Sequence, residues 1–306
     1  MNSSEIRKTI TEKIVSHLEN GVRPWRAPWL GTPICGRPLR CTGEPYRGIN
    51  VLLLWMEAME RGLGGKHWMT FRQAKKLGGQ VRKGEKSTLV VLYKPFTPKD
   101  EDAQTDRNGD PIQKWFMRGY RVFNTAQIDG LPIEYAVKVN PSFVAQDEEA
   151  LANFSKVMAF HKPKYQEVSG SAYYRPSTDT VHWPPVSEHK SAVDHAATGL
   201  HELGHWTGAE KRLNRPGIVE KRNADRYAFE ELVAELTAAF CGSIVGIPPS
   251  HIEDHSAYIS HWIKLLEDPK AILKAAGDAE RATQFILPEK LVSTLELNDE
   301  RSLVAA

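Results

Sequence analysis

Ile6, Ile10, Ile14 and Leu18 recur every four residues, after serines (Ser3, Ser4) that can cap a helix and before Asn20-Gly21, which can end one. The pattern predicts a first helix over this span. "VRPWRAPWL" follows as an extended loop, and "NVLLLWMEAM" predicts a second helix from Asn50 to Arg61. "TFRQAKKLG" reads as a short third helix ended by Gly78. The period then changes to two. "STLVVLY" and "KWFMRGYRVFN" predict strands, and the polar "KDEDAQTDRNGDP" between them, with its Asn-Gly pair, predicts an exposed hairpin loop. Further on, "DEEALANFSKVMAF" predicts a helix and "SAYYRPSTDTVHWPP" a strand, a turn and a strand. Residues 192–208 and 224–241 read as two long helices, with more helical segments over 254–282. Pro, Gly and a change of charge meet in "QIDGLPIEYAVKVNPS". The expected organisation is therefore α+β in two domains, a mixed α/β domain over 1–130 and a second over 142–306, with 131–141 as linker.

Composition narrows the class. The 306 residues are 41% hydrophobic and 25% charged, as in soluble globular proteins, and suffice for sizeable cores. Three cysteines (Cys35, Cys41, Cys241) are too few and too scattered for a disulfide framework, which points to a reducing cytoplasm. The first residues lack the apolar core of a signal peptide, and no run approaches the ~18 apolar residues of a membrane span, so no membrane partner is expected. The net charge of +2 hides an asymmetry. Residues 1–130 hold 22 Lys and Arg against 13 Asp and Glu, whereas 131–306 hold 18 against 25. A polyanion would meet the front half, not the back.

The strongest chemical signal is His201-Glu202-Leu203-Gly204-His205, within "SAVDHAATGLHELGHWTG". Val193, Leu200 and Leu203 anchor this stretch as a helix. Histidines at i and i+4 lie one turn apart on one face, so two imidazole nitrogens can reach one ion at roughly 2.0–2.1 Å. Glu202 falls on the adjacent face, where it can hold the attacking water as general base while the ion acts as Lewis acid. Gly204 costs about 1 kcal/mol of helix propensity, which close approach by a neighbouring strand would offset. Gly208 is a natural stop.

A third ligand is required. The metzincin spacing puts Lys211 where its histidine should stand, and a protonated Lys cannot ligate. "YAFEELVAELTAAF" offers the alternative, with Glu231 and Glu235 one turn apart. Glu231 is assigned as the ligand and Glu235 as the carboxylate that orients a ligand histidine from behind. The competing reading is a solvated face opposite the stripe Phe229, Leu232, Val233, Leu236 and Phe240. Ala234 and Ala238 lie on the Glu face, however, and small residues there favour a helix–helix contact. Two histidines and a glutamate suit Zn2+ and also accept Mn2+. For an oxyanion donor, "EDHSAYISHWI" offers Tyr258 ahead of His255 and His261. "DTVHWPP" is the candidate edge strand for an extended peptide.

The front half carries what a single-strand binder needs, cations along a groove and aromatic faces for bases. Trp25, Arg26 and Trp29 share the Pro-braced loop. Tyr46 and Arg47 follow, then Trp68 and Phe71. Arg82, Lys83 and Lys86 cluster in "VRKGEKS", and Trp115, Arg118, Tyr120, Arg121 and Phe123 interleave in "WFMRGYRVFN". No helix-turn-helix or zinc-finger pattern is present, which favours single-stranded over duplex DNA. The opposing reading makes the tryptophans core plugs and turns the strand aromatics inward.

These stretches, in this order, resemble the ArdC-type antirestriction proteins of conjugative plasmids over nearly the whole chain. "GEPYRGIN", "WMTFRQAKKLGGQVRKGEK" and "YRVFNTAQIDGLP" look like the family's N-terminal single-strand-binding module, which is also similar to the front of a plasmid DNA primase. "HELGHWTG", "FEELVAEL" and "YISHW" look like its zincin-type metallopeptidase domain. The resemblance implies that His201, Glu202, His205 and Glu231 form the metal site. It further implies protection of incoming plasmid DNA from host restriction. Three functions fit: a single-strand binder with a working peptidase, a pure DNA-binding protein with a structural metal, and a peptidase that cleaves a host protein.

Overall fold

A computed structural model of the chain describes residues 2–25, 36–96, 114–136, 147–220, 223–247 and 256–295. Arg26, Trp29, Cys35, His255 and the expected hairpin loop over 99–111 lie outside the described residues.

The front half opens with α1 (Ser3–Glu19). Its cap is Asn2 rather than Ser3 or Ser4. The Asn2 side chain accepts from the Ser4 and Glu5 N–H groups, and Glu5 returns the bond to the Asn2 N–H at 2.9 Å. A reciprocal pair satisfies more orphan donors than a lone serine can, so it sets the start. β1 (Leu39–Arg40), α2 (Ile49–Arg61), β2 (His67–Met69), α3 (Phe71–Lys76), β3 (Gln80–Val81), β4 (Thr88–Phe96), β5 (Lys114–Asn124) and β6 (Ile128–Asp129) follow. One sheet has the order β1-β2-β5-β4, and β3 pairs with β6 alone.

β4 and β5 run antiparallel from Thr88 opposite Val122 to Phe96 opposite Lys114. On the far edge of β4, the Asn50 amide fills both backbone groups of Val91, at 2.8 and 2.7 Å, as a neighbouring strand would. The two faces of β5 differ. Met117 is buried, and a Cβ on Gly119 would sit 2.9 Å from Leu89 and 3.5 Å from Ile6, so that side packs against α1. Phe116, Arg118 and Tyr120 alternate with them and are exposed, with exposed Leu92 opposite Arg118.

The back half comprises α4 (Asp147–His161), β7 (Lys164–Glu167), β8 (Tyr173–Arg175), β9 (Thr180–Trp183), α5 (Ala192–Trp206), α6 (Pro216–Val219), α7 (Ala224–Val245), α8 (Ser256–Leu265), α9 (Ala271–Ile286) and α10 (Glu289–Val292). Its sheet has the order β7-β9-β8. β9, expected at the edge, is therefore the central strand, and β7 and β8 are the two edges. β7 left no trace in the pattern, because all four of its residues are exposed and none marks a buried face.

The two-domain α+β architecture has a shared centre. α7 is buried along nearly its whole length. Its residues Leu232, Val233, Leu236 and Phe240 belong to the same core as Ile6, Ile10, Trp25, Leu52 and Trp55 of the front half, while Ala238, Cys241 and Val245 join the back-half core with Leu200, Leu203 and Trp206. Trp25 is fully buried, edge-on to Trp262 with ring centroids 5.6 Å apart. A buried Arg37–Glu280 ion pair also joins the halves. Arg37 stacks over Phe240, and Glu280 accepts the Gly48 N–H at 3.0 Å.

Candidate metal centre

α5 is started by Ser191, whose hydroxyl accepts the Asp194 N–H. α7 is started by Asn223 in the same manner and stopped by Gly246 at φ +76°. The two helices lie in close contact. A Cβ on Gly204 would stand 3.2 Å from the Ala234 Cα, so the glycine permits the approach. The neighbour is α7 rather than the expected strand. This contact brings Glu231 to the two histidines.

The donor atoms converge. His201 Nε2 and His205 Nε2 are 3.2 Å apart, and Glu231 reaches each of them at 3.5 Å through its two oxygens. Ligand atoms held tetrahedrally at 2.0–2.1 Å from one ion are roughly 3.4 Å from each other, so the arrangement fits a divalent metal. Among the described residues this is the one group of three such side chains close enough to share an ion. Burial would lower the His205 imidazole, but the Glu231 charge and the Glu230 hydrogen bond outweigh it and raise it to about 9. Burial would raise Glu231, but the histidines outweigh it and bring it down to about 2. The cluster thus has the negative charge that a cation in place of the proton would neutralise.

Glu202 lies beside the triad, 4% exposed, and its Oε2 has no hydrogen-bond partner among the described residues. Burial pushes its carboxyl up, against the pull of His201 and His205 and a hydrogen bond from the Tyr174 backbone. The triad and Glu202 open into a cleft of about 390 Å³, also lined by Gly170–Tyr174, Pro176, His189, Asp194 and Tyr227. The free edge of β8 thus borders the site. Tyr227 also hydrogen-bonds Glu231.

One expected role moves. Among the described residues, Glu235 meets neither His201 nor His205. It accepts the Trp25 indole N–H at 3.3 Å, on the side of α7 that faces the front half. Its neighbour Glu230 takes the orienting position, 3.3 Å from His205 Nδ1. Residues four apart share a face, so the pair Glu231/Glu235 suggested one site. In the fold, Glu231 points at α5 while the extra contact falls to Glu230, which faces the segment after α5 and bonds Arg215. The doubled Glu in an apolar helix was the signal, since two buried carboxylates require a nearby cation. Tyr258 lies in α8, but its side chain is outside the described residues. Lys211, the residue that ruled out a third histidine, bonds Asp179 at 2.7 Å.

The nucleic-acid candidates divide sharply. Trp25, Tyr46 and Trp68 are 0%, 7% and 2% exposed; their rings fill the core and present no face to a base. Arg82 is engaged by Asp129, Glu85 and the Ala126 carbonyl. Arg47 is exposed and sits 4.0 Å from Glu280. Lys83, Lys86, Arg118, Tyr120 and Arg121 are exposed, with the Arg118 guanidinium 5.3 Å over the Tyr120 ring.

A helix bearing HExxH, a glutamate from the next long helix and an edge strand along the cleft define a zincin-like metallopeptidase domain. Residues 152–278 accordingly match the family described as zincin-like metallopeptidase, and residues 4–123 match the N-terminal domain of the anti-restriction factor ArdC. The chain belongs to the ArdC family. Two crystal structures of the antirestriction protein ArdC from plasmid R388, one metal-free and one Mn(II)-bound, are similar to it at TM-score 0.75 with 36% and 34% identity. The similarity covers 95% of this chain and 98% and 99% of theirs. The Sinorhizobium fredii protein y4eC is 34% identical, with 92% of each chain covered. An Escherichia coli DNA primase, TraC, is 37% identical over 295 residues, and the chain spans 26% of that primase's length. Among the described residues no helix is long and apolar enough to cross a membrane.

Proposed function

We propose that this ArdC-family protein covers incoming single-stranded plasmid DNA with its front half and hydrolyses peptide bonds at a divalent metal in its back half. Together these activities protect the transferred DNA from restriction. The observation that carries the peptidase reading is the trio of donor atoms 3.2 to 3.5 Å apart, beside an unpartnered Glu202 oxygen, in a cleft bordered by a free strand edge. His201, His205 and Glu231 would hold the ion, Zn2+ or, as in the R388 relative, Mn2+. Bound there, the ion supplies Lewis acidity toward a substrate carbonyl.

The chain's own groups do the rest. An extended peptide adds to the β8 edge by main-chain hydrogen bonds. Glu202 takes a proton from the attacking water, whose oxygen bonds to the carbonyl carbon. The C–N bond then breaks, and Glu202 passes its proton to the leaving amine. Tyr227 lines the same cleft, and its hydroxyl, which donates to Glu231 here, would turn to the developing oxyanion as Glu231 engages the ion. The exposed Phe116, Arg118 and Tyr120 face supplies aromatic platforms and positive charge for single-stranded DNA, with Arg121, Lys83 and Lys86 adding charge.

Glu202→Gln tests the reading. The variant keeps its metal and its affinity for single-stranded DNA, measured by metal analysis and fluorescence anisotropy, and loses both peptide hydrolysis and protection of a plasmid transferred into a restricting recipient. Full protection by this variant would show that DNA cover alone is sufficient and that hydrolysis has no part in antirestriction.

A further inference from the structure

We infer that Arg215 is a positioning residue for the metal site, holding His205 in ligating geometry through Glu230. The inference rests on the metal reading above. Arg215 is 4% exposed and precedes α6. Its guanidinium grips Glu230 with both ends of the fork, Nε to Oε2 at 3.0 Å and Nη2 to Oε1 at 2.5 Å. The same group donates to the Gly204 carbonyl at 2.7 Å and to the Thr207 hydroxyl at 2.8 Å. The Thr207 hydroxyl in turn donates to the Gly204 carbonyl at 2.6 Å. Gly204 and Thr207 stand on either side of His205 along the chain. One side chain therefore ties down the backbone around His205 and the carboxylate that meets its ring.

The chemistry explains the need. Glu230 Oε1 lies 3.3 Å from His205 Nδ1 and favours the tautomer with the proton on Nδ1. That leaves the Nε2 lone pair directed at His201 and Glu231. Glu230 also stands next to Glu231 in a buried helix, and Arg215 supplies the charge that allows both carboxylates there. A buried ion pair contributes little net stability compared with an apolar pair of the same volume, so packing alone gives no reason for it. An apolar pair could not accept the Nδ1 proton.

The surrounding sequence leaves space for this pair. A Cβ on Gly208 would sit 2.8 Å from Arg215 Nη2, and a Cβ on Gly217 would sit 2.7 Å from the Glu230 Cβ. Neither glycine has a left-handed backbone, so the requirement at both is room. Lysine, with a single point charge, cannot reproduce the fork.

The test measures metal binding directly. Metal-free protein is titrated with Zn2+ against a chromophoric chelator, and the visible d–d bands of the Co2+ form are recorded. The parent is compared with Arg215→Met, Arg215→Lys, Glu230→Gln and the Arg215→Met/Glu230→Gln pair. Arg215→Met and Glu230→Gln are expected to weaken Zn2+ binding about 10- to 100-fold and to shift the Co2+ bands. Arg215→Lys does not restore affinity, and the double variant is no weaker than the weaker single, because the two residues act as one unit. A folded Arg215→Met protein with parental affinity and an unchanged Co2+ spectrum would overturn the inference and leave Arg215 a loop anchor. If Arg215→Met does not fold, Arg215→Lys and Glu230→Gln decide on the same readouts. A parent protein that takes up no metal sinks the metal site itself, and the clamp with it.

Discussion

Asp179 illustrates how one residue can hold the cleft wall. It closes the turn between β8 and β9 at φ +48° and receives bonds from Arg212, Lys211 and the Tyr174 hydroxyl. Arg212 also stacks 4.0 Å over Trp206, at the end of the metal helix. Burial raises the Asp179 carboxyl, but these hydrogen bonds outweigh it and hold it well below the usual carboxylate range. A depressed folded value stabilises the protein fully above the unfolded value of about 4, and this stability is lost as pH falls toward the folded value. Asp179→Asn, which tolerates the same backbone, should therefore melt several degrees lower at pH 7, with the gap closing below about pH 4 in a thermal-melt series. Gly204 offers a second test. Gly204→Val places a branched side chain against the Ala234 backbone and pushes α5 from α7. The expected result is loss of Zn2+ binding in an equilibrium titration, since Glu231 no longer reaches both histidines.

Among the elements, the β4–β5 hairpin separates two kinds of aromatic that the pattern could not. Alternation along "KWFMRGYRVFN" established that two faces exist; which one is covered depends on α1 packing against Met117 and Gly119. Tyr120→Ala, on the open face, should weaken single-stranded DNA binding by about 1–3 kcal/mol per base unstacked, read by anisotropy, with stability unchanged. Trp68→Ala should do the opposite. It removes a buried ring and costs about 3–5 kcal/mol in denaturant unfolding. The tryptophans misled for a simple reason: a large aromatic in a basic half satisfies both a stacking platform and a core plug, and local sequence does not distinguish them. α7 was legible as a helix, and its Glu231/Glu235 pair as candidates, because i, i+4 spacing is a property of the helix alone; that Glu231 faces His201 and His205 depends on α5 packing against α7.

In the whole molecule, the front and back halves are one body around α7. Ile6, Trp25 and Trp55 bury their side chains in the same cluster as Leu232, Leu236 and Phe240. A fragment ending at residue 136 would expose that apolar surface. It should show no cooperative thermal transition by circular dichroism, and should self-associate in analytical ultracentrifugation. The helix that carries Glu230 and Glu231 toward α5 also carries Glu235 toward Trp25, so the front half and the half that holds the candidate metal site share a structural support.

Local chemistry was determined by the sequence alone. Helix periodicity placed His201 and His205 on one turn and Glu231 on the following long helix, Lys211 excluded a third histidine, and charge divided the chain into a basic front and an acidic back. Those are properties of spacing along one element or of composition, and they survive without knowing what packs where. The tertiary structure alone decided the roles that depend on distant neighbours. It selected Glu230 over Glu235 behind His205, β8 over β9 as the cleft edge, and Tyr120 over Trp25 as an open ring. In each case the candidates were chemically alike, and only the approach of a second element (Arg215, β9, α7) set which one was buried, paired or left facing solvent.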